Sequence, residues 1–121
     1  MIEFLKTDFS FTDERGFLHQ LCHEGYKQVN VSFSKAGVFR GGHYHKENNE
    51  AFFIVDGEIE IELTKNGKKE NVTVKKGDFF VLKPYAAHSF NFKQDTLMVA
   101  LYDKGVEHAD GSKDIYPADK E

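Results

Sequence analysis

Along most of this chain apolar and polar residues alternate with a period of two, the pattern of strands whose successive side chains point to opposite faces. In Lys27–Ser34, Val29, Val31 and Phe33 fall on one face and Asn30, Ser32 and Ser34 on the other. In Glu58–Leu63 the acids alternate with Ile59, Ile61 and Leu63, which predicts one wet face and one buried face. Further strands are predicted at Ile2–Lys6, Phe17–His23, Val38–His45, Ala51–Val55, Lys68–Val74, Phe79–Leu82, His88–Phe92 and Thr96–Tyr102. Between them Asp13-Glu14-Arg15-Gly16, Glu24-Gly25, Ala36-Gly37 and Lys76-Gly77-Asp78 read as turns, and Asp56-Gly57 and Asn66-Gly67 as hairpin turns. Gly41-Gly42, inside a strand, predicts a bulge or a close approach to the backbone. No helical periodicity is sustained for three turns. Short strands with turns every ~8–12 residues indicate an all-β sandwich or barrel. Asp103–Glu121 is polar, with Ile115 and Tyr116 as its bulky apolar pair, and is expected to be a loosely held tail or flap.

The 121 residues suffice for one domain with a real core. Twelve Phe and five Tyr without Trp suit β-rich packing. A net charge of −4 builds no basic stripe and argues against nucleic-acid binding. The cluster Lys65, Lys68 and Lys69 is read as a solvated hairpin tip. Cys22, the single cysteine, rules out an internal disulfide and any Cys-x-x-Cys motif, and is expected to act as a small buried apolar group. The N-terminal residues carry acids early and no sustained apolar run, and no stretch is long enough to cross a bilayer. A cytoplasmic location without membrane contact is the expectation.

Candidate chemistry lies between Gly37 and Gly57. His43 and His45, two apart on one strand, present both imidazoles to one side. If the chain reverses at Lys46–Asn49, Glu50 enters the neighbouring strand and can face the same space. His88, far downstream, supplies a third imidazole. Three neutral nitrogens and one carboxylate suit a divalent transition metal: Zn, Fe, Mn, Ni or Cu. His19, His23 and His108 stand alone and are read as surface or structural residues.

The spacing Gly37-x5-His43-x-His45-x4-Glu50-x6-Gly57 resembles the first signature of the cupin superfamily at every position. The second cupin signature is met in part by Gly77 to Asn91: Gly77 and His88 keep their separation, Pro84 comes one place late, Ala86 stands near a usual Gly, and Asn91 comes one place early. The resemblance implies a double-stranded β-helix, or jelly-roll, barrel over residues 1–121. Its core would run from about 17 to 102, followed by the polar tail 103–121, and a homodimer would be the family habit. It also implies that His43, His45, Glu50 and His88 are the metal ligands.

Arg40-Gly41-Gly42-His43-Tyr44-His45-Lys46 is similar to a run in nucleotide-sugar 3,4-ketoisomerases acting on dTDP-4-keto-6-deoxyhexoses. It resembles more closely the zinc-binding cupin domain of capsule-type sugar-nucleotide epimerases, which puts Zn first among the metals. Asp13-Glu14-Arg15-Gly16-Phe17-Leu18 looks like an early motif of the same sugar-modifying cupins. The resemblance implies an isomerase or epimerase of a nucleotide-linked 4-keto-6-deoxy sugar in polysaccharide biosynthesis. A 4-keto group acidifies the adjacent C–H, and a base near neutral pKa can move that proton. His43 and His45 are then either proton carriers, as the ketoisomerase resemblance implies, or ligands; an imidazole lone pair held by a metal cannot also be a base. With both as ligands, Tyr85, just before His88, is the other catalytic candidate. Arg40 is the candidate diphosphate partner, since guanidinium pairs phosphate oxygens in a fork, with Lys46 beside it. The alternatives are a metal-dependent dioxygenase using the same ligands, and a non-catalytic ligand-binding or sensor cupin, because fold alone does not give function.

Overall fold

A computed structural model describes residues 1–118, and all its regular structure is strand. Twelve strands follow in chain order: β1 (Ile2–Phe4), β2 (Phe9–Asp13), β3 (Gly16–Gln20), β4 (Gln28–Ser34), β5 (Phe39–Tyr44), β6 (Glu50–Asp56), β7 (Glu58–Lys65), β8 (Lys68–Lys75), β9 (Phe79–Leu82), β10 (Ala87–Phe92), β11 (Thr96–Tyr102) and β12 (Tyr116–Pro117). They make two antiparallel five-stranded sheets, β1-β9-β6-β11-β4 and β12-β5-β10-β7-β8, plus a separate hairpin β2-β3. This is the expected all-β jelly roll, as two sheets that do not close into one hydrogen-bonded barrel. Asn66-Gly67 forms the hairpin its dipeptide predicts, with β7 and β8 in register from Glu58↔Lys75 to Lys65↔Lys68. Asp56-Gly57, expected to be a hairpin turn, instead carries the chain from one sheet to the other, because β6 pairs with β9 and β11 while β7 pairs with β10 and β8.

The core lies between the sheets. Ile59, Ile61 and Leu63 of β7 are fully buried, meeting Phe52 and Ile54 of β6, Phe80 of β9 and Phe90 and Phe92 of β10. A second apolar layer lies on the other side of the first sheet: Ala51, Phe53, Phe79, Val81 and Leu101, with Leu5, Leu21, Cys22 and Tyr26 packed on it. Cys22 is half-buried there rather than enclosed.

Two features depart from the alternation pattern. In β4 the apolar face points outward: Val29, Val31 and Phe33 are 59%, 70% and 53% exposed, while Asn30, itself exposed, and Ser32 line an open cavity and Ser34 is buried. The strand keeps its period of two but turns its polar face inward. The second concerns the chain after Asp103, which is held rather than loose: β12 pairs with β5 (Tyr116↔Tyr44, Pro117↔His43), and the Asp114 side chain is fully buried. Of the 103–121 tail, residues 119–121 lie outside the described residues.

Candidate metal centre

The site is assembled from both sheets. His43 on β5 is the cross-strand partner of His88 on β10, so backbone pairing sets their rings side by side, centroids 4.6 Å apart and nearly perpendicular. Glu50 opens β6 in the facing sheet, between Leu82 of β9 and Tyr102 of β11. His45 lies just past the end of β5. One donor atom from each of His43, His45, Glu50 and His88 lies within 4.8 Å of the other three, and all but His43 are buried.

The bulge predicted at Gly41-Gly42 aims this group. Opposite β10, Ser89 pairs with Gly41 and His88 with His43, so Gly42 is an extra residue on β5. That extra residue brings Arg40, three positions before His43, onto the same inward face. Gly41 has φ +110° and a Cβ there would sit 2.6 Å from the His88 carbonyl oxygen. Only glycine fits so close a backbone approach.

Electrostatics make the quartet a cation site. His45 Nδ1 donates to the Asp114 carbonyl oxygen at 2.6 Å, so in the neutral ring Nε2 carries the lone pair. That nitrogen faces Glu50 Oε1 at 3.0 Å, acceptor against acceptor, unless a proton or a metal ion lies between them. Burial by itself would lower the His45 pKa; the Glu50 hydrogen bond and charge, with the Asp114 carbonyl, raise it above 6.5 instead. Glu50 shows the converse, because burial disfavours its charge yet His45, His88 and the Tyr102 hydroxyl hold it below the usual carboxylate value. Burial and neighbouring His88 lower His43 to about 4, and burial lowers His88 too, so both are neutral near pH 7. Neutral His43 and His88 and an ionised Glu50 are the protonation states a metal needs, and His45, raised by Glu50, must release its proton to join them. Four donors set tetrahedrally about 2.0–2.2 Å from one ion are about 3.3–3.6 Å apart, so a pair at the 4.8 Å limit would close by about 1.2–1.5 Å on binding. The residues fit a Zn-type ion, and the donor set does not select among first-row metals.

His43, Glu50 and His88 of the quartet line a cavity of about 200 Å³ between the sheets, whose wall does not include His45. Phe52, Phe90, Met98 and Ala100 form its apolar wall, and Asn30, Ser32 and Tyr102 its polar one. Arg40 also lines it and donates from Nε to Ser34 Oγ at 2.8 Å. Among the other sequence candidates, Lys46 lies outside the cavity, its ammonium 4.2 Å from the Tyr116 ring centroid. Tyr85 is also outside: it is 55% exposed, has φ +68°, and stacks on Tyr44, which points away from the quartet. Position before His88 did not reveal that left-handed turn. Tyr102 is the phenol at the site, hydrogen-bonded to Glu50 and edge-on to His45, with burial and Glu50 pushing its pKa up. Its signal in the sequence was its place at the end of an inward-facing strand. The lone histidines stay apart: His19 packs between Phe17 and Phe53, His23 pairs with Asp8, and His108 with Glu47.

Comparison with known proteins agrees with this architecture. The QdtA sugar 3,4-ketoisomerase from Thermoanaerobacterium thermosaccharolyticum, in complex with TDP, superposes with a TM-score of 0.79 at 15% identity, over 95% of this chain and 86% of that one. A 3,4-ketoisomerase from Helicobacter canadensis gives 0.77 at 18% identity over 95% and 89%. The capsular polysaccharide assembling protein CapF from Staphylococcus aureus gives 0.68 at 20% identity over 93% of this chain and 34% of that one. At such identities the likeness is one of fold. Among curated sequences, 3-hydroxyanthranilate 3,4-dioxygenase from Danio rerio is 27% identical over 91 residues, 74% of this chain and 32% of that protein. The same enzyme from Xenopus laevis is 29% identical over 83 residues, 67% of this chain and 29% of that protein, so the chain spans about a third of these relatives. The model of the polysaccharide biosynthesis C-terminal domain matches residues 11–112. With most of its length matched, and with the cupin fold those sugar-modifying structures share, the chain belongs to the polysaccharide biosynthesis C-terminal domain family.

Proposed function

We propose that this chain is a metal-binding cupin that isomerises a nucleotide-linked 4-keto-6-deoxy sugar in polysaccharide biosynthesis. The observation that carries this reading is the His43–His45–Glu50–His88 quartet, three of whose members line a cavity together with Arg40, in a family named for polysaccharide synthesis. About 200 Å³ suits a single sugar ring. The nucleotide then lies outside, with its diphosphate along Arg40; Lys46, its ammonium over the Tyr116 ring, is not among the residues that line the cavity. In the reaction, the proton on C3 is removed, its electron pair forms a C3=C4 bond, and the former carbonyl oxygen takes a proton. Loss of the O3 proton then makes the C3 ketone as a proton returns to C4. A bound ion would supply Lewis acidity at the carbonyl oxygen. Tyr102 keeps its proton, which it donates to Glu50, and so is not the base. With an ion held by the quartet none of its imidazoles is free to be the base; only in a metal-free site could His43, half-buried and neutral, take the C3 proton, while His45, Glu50 and His88 stay buried.

Incubation with dTDP- or UDP-4-keto-6-deoxy sugars in deuterated water tests the reading: deuterium enters the carbons beside the ketone, and no exchange with any of several such sugars rejects it. The dioxygenase relatives favour one rival, oxygen chemistry on the same ligands. Oxygen uptake by the ferrous protein with 3-hydroxyanthranilate decides for that rival. The unit working in this way is one cupin domain, cytoplasmic and homodimeric. The apolar outer face of the edge strand β4, Val29, Val31 and Phe33, supports the dimer as the surface a second copy would cover.

A further inference from the structure

The loop joining two of the ligands, Lys46–Asn49, makes its backbone bonds neither to itself nor to a strand. The Lys46, Glu47 and Asn48 amides all donate to the Asp114 carboxylate, at 2.8, 3.0 and 3.0 Å, and the Asn48 side chain adds a fourth bond at 2.7 Å. Asn49 donates from its backbone and side chain to the Asp103 carboxylate, at 3.0 and 2.9 Å. Asn48 is itself bracketed by the Gly105 carbonyl and the Lys104 amide, and the exposed His108 pairs with Glu47. The same segment reaches the ligand ring directly, because the Asp114 carbonyl accepts the His45 Nδ1 proton. Two carboxylates more than 50 residues downstream therefore fix the loop between His45 and Glu50, and a backbone carbonyl selects the tautomer that turns Nε2 to the site.

We propose that Asp114 is a positioning residue of the metal centre, and that docking of the 103–117 segment and binding of an ion at the quartet are thermodynamically coupled. This rests on the quartet being a metal site and needs no particular substrate. An undocked segment leaves four amides without acceptors and His45 free to rotate or change tautomer. Ion binding in turn favours the docked state, by the reciprocity of linkage. Partners that orient metal-bound histidines are worth about 10–100-fold in metal affinity.

The test uses the full chain, stripped of metal, titrated with Zn²⁺ or Co²⁺ and followed by hydrogen exchange and by ¹⁵N signals of the imidazoles. The ion should slow exchange at Lys46–Asn49 and across 104–116 together. Asp114→Ala keeps the backbone carbonyl but removes the carboxylate that docks the segment, so it should weaken Co²⁺ binding about 10–100-fold and loosen the Nδ1–H preference of His45, while the far-UV spectrum stays β. Asp114→Asn, which keeps an acceptor oxygen, should fall between the two. Unchanged affinity and an unchanged tautomer in a folded Asp114→Ala protein overturn the proposal. So does an ion that leaves exchange in 104–116 as it was, a result wild-type protein gives even if the variant does not fold. Sugar turnover is read separately. Deuterium exchange without ion-linked protection sinks only the coupling, and protection without sugar exchange sinks only the isomerase.

Discussion

Replacing Gly41 by alanine strains the point on which the aim of the site depends. Residue 41 has φ +110°, where an L-residue costs about 1–3 kcal/mol. Its Cβ would lie 2.6 Å from the His88 carbonyl oxygen and 3.0 Å from Ser89 Cα, against an ordinary contact of 3.4 Å or more, so the strands must part by about 0.8 Å (3.4 minus 2.6). A domain of this size is stable by about 5–15 kcal/mol, so the variant should fold, with a melting temperature roughly 4–12 °C lower. His88 sits on the strand that moves, and metal–ligand distances tolerate about 0.2 Å. We therefore expect ion affinity to fall at least about tenfold, beyond the stability loss. Gly42→Ala is the control: φ is +74° and nothing lies within 4 Å of its Cβ, so a backbone penalty of about 1–2 kcal/mol should appear with near-normal ion binding. Urea unfolding followed by circular dichroism, with Co²⁺ titration of both proteins, makes the comparison. If Gly41→Ala matches Gly42→Ala in stability and in affinity, the bulge does not aim the ligands as argued.

Other expectations follow from the same geometry. Glu50→Gln removes the charge that raises His45, so the His45 pKa should drop below 6.5 under its burial, as NMR titration would show, and ion affinity should fall at least about tenfold. In metal-free protein the lowered values of His43 and His88 mean that the unfolded chain binds more protons between about 4 and 6.5. Stability should therefore decline as pH falls through that window, with lowered Glu50 adding to the loss further down and raised His45 partly opposing it. A urea midpoint that rises on acidification from 6.5 contradicts this assignment. The proposed homodimer should sediment as a dimer in the wild-type protein, and Val31→Lys, at an outward position 70% exposed, should leave the fold intact and shift it to monomer. An unaltered dimer places the interface elsewhere.

Much of the fold could be read from local signals, because hairpin turns and period-two alternation are local: the Asn66-Gly67 hairpin sits where predicted, with Ile59, Ile61 and Leu63 buried. At Asp56-Gly57 the hairpin reading fails, because a turn dipeptide marks a reversal without saying which strand its neighbour pairs with, and here the chain passes between sheets. The Gly41-Gly42 bulge and the convergence of His43, His45, Glu50 and His88 were also legible, as spacings. Alternation says that two faces differ and not which one meets a cavity, so the inward polar face of β4 was hidden. Phe9–Asp13 gave no strand signal, and its hairpin joins neither large sheet. Asp114 could not be seen as a partner of Lys46–Asn48 because its acceptors meet donors 66 to 68 residues away, without a periodic pattern. Tyr102 and Tyr85 were indistinguishable by residue type; strand register put the first in the cavity and a left-handed backbone put the second outside it.

The central claim is that the quartet holds a transition metal. It is tested most directly by elemental analysis of the full chain, produced without a histidine tag, beside His88→Ala. The account predicts about one Zn-type ion per wild-type chain and a large loss in the folded variant. Metal-free wild-type protein that isomerises its sugar, with His88→Ala equally active, would contradict it and leave His43 and His45 as free bases.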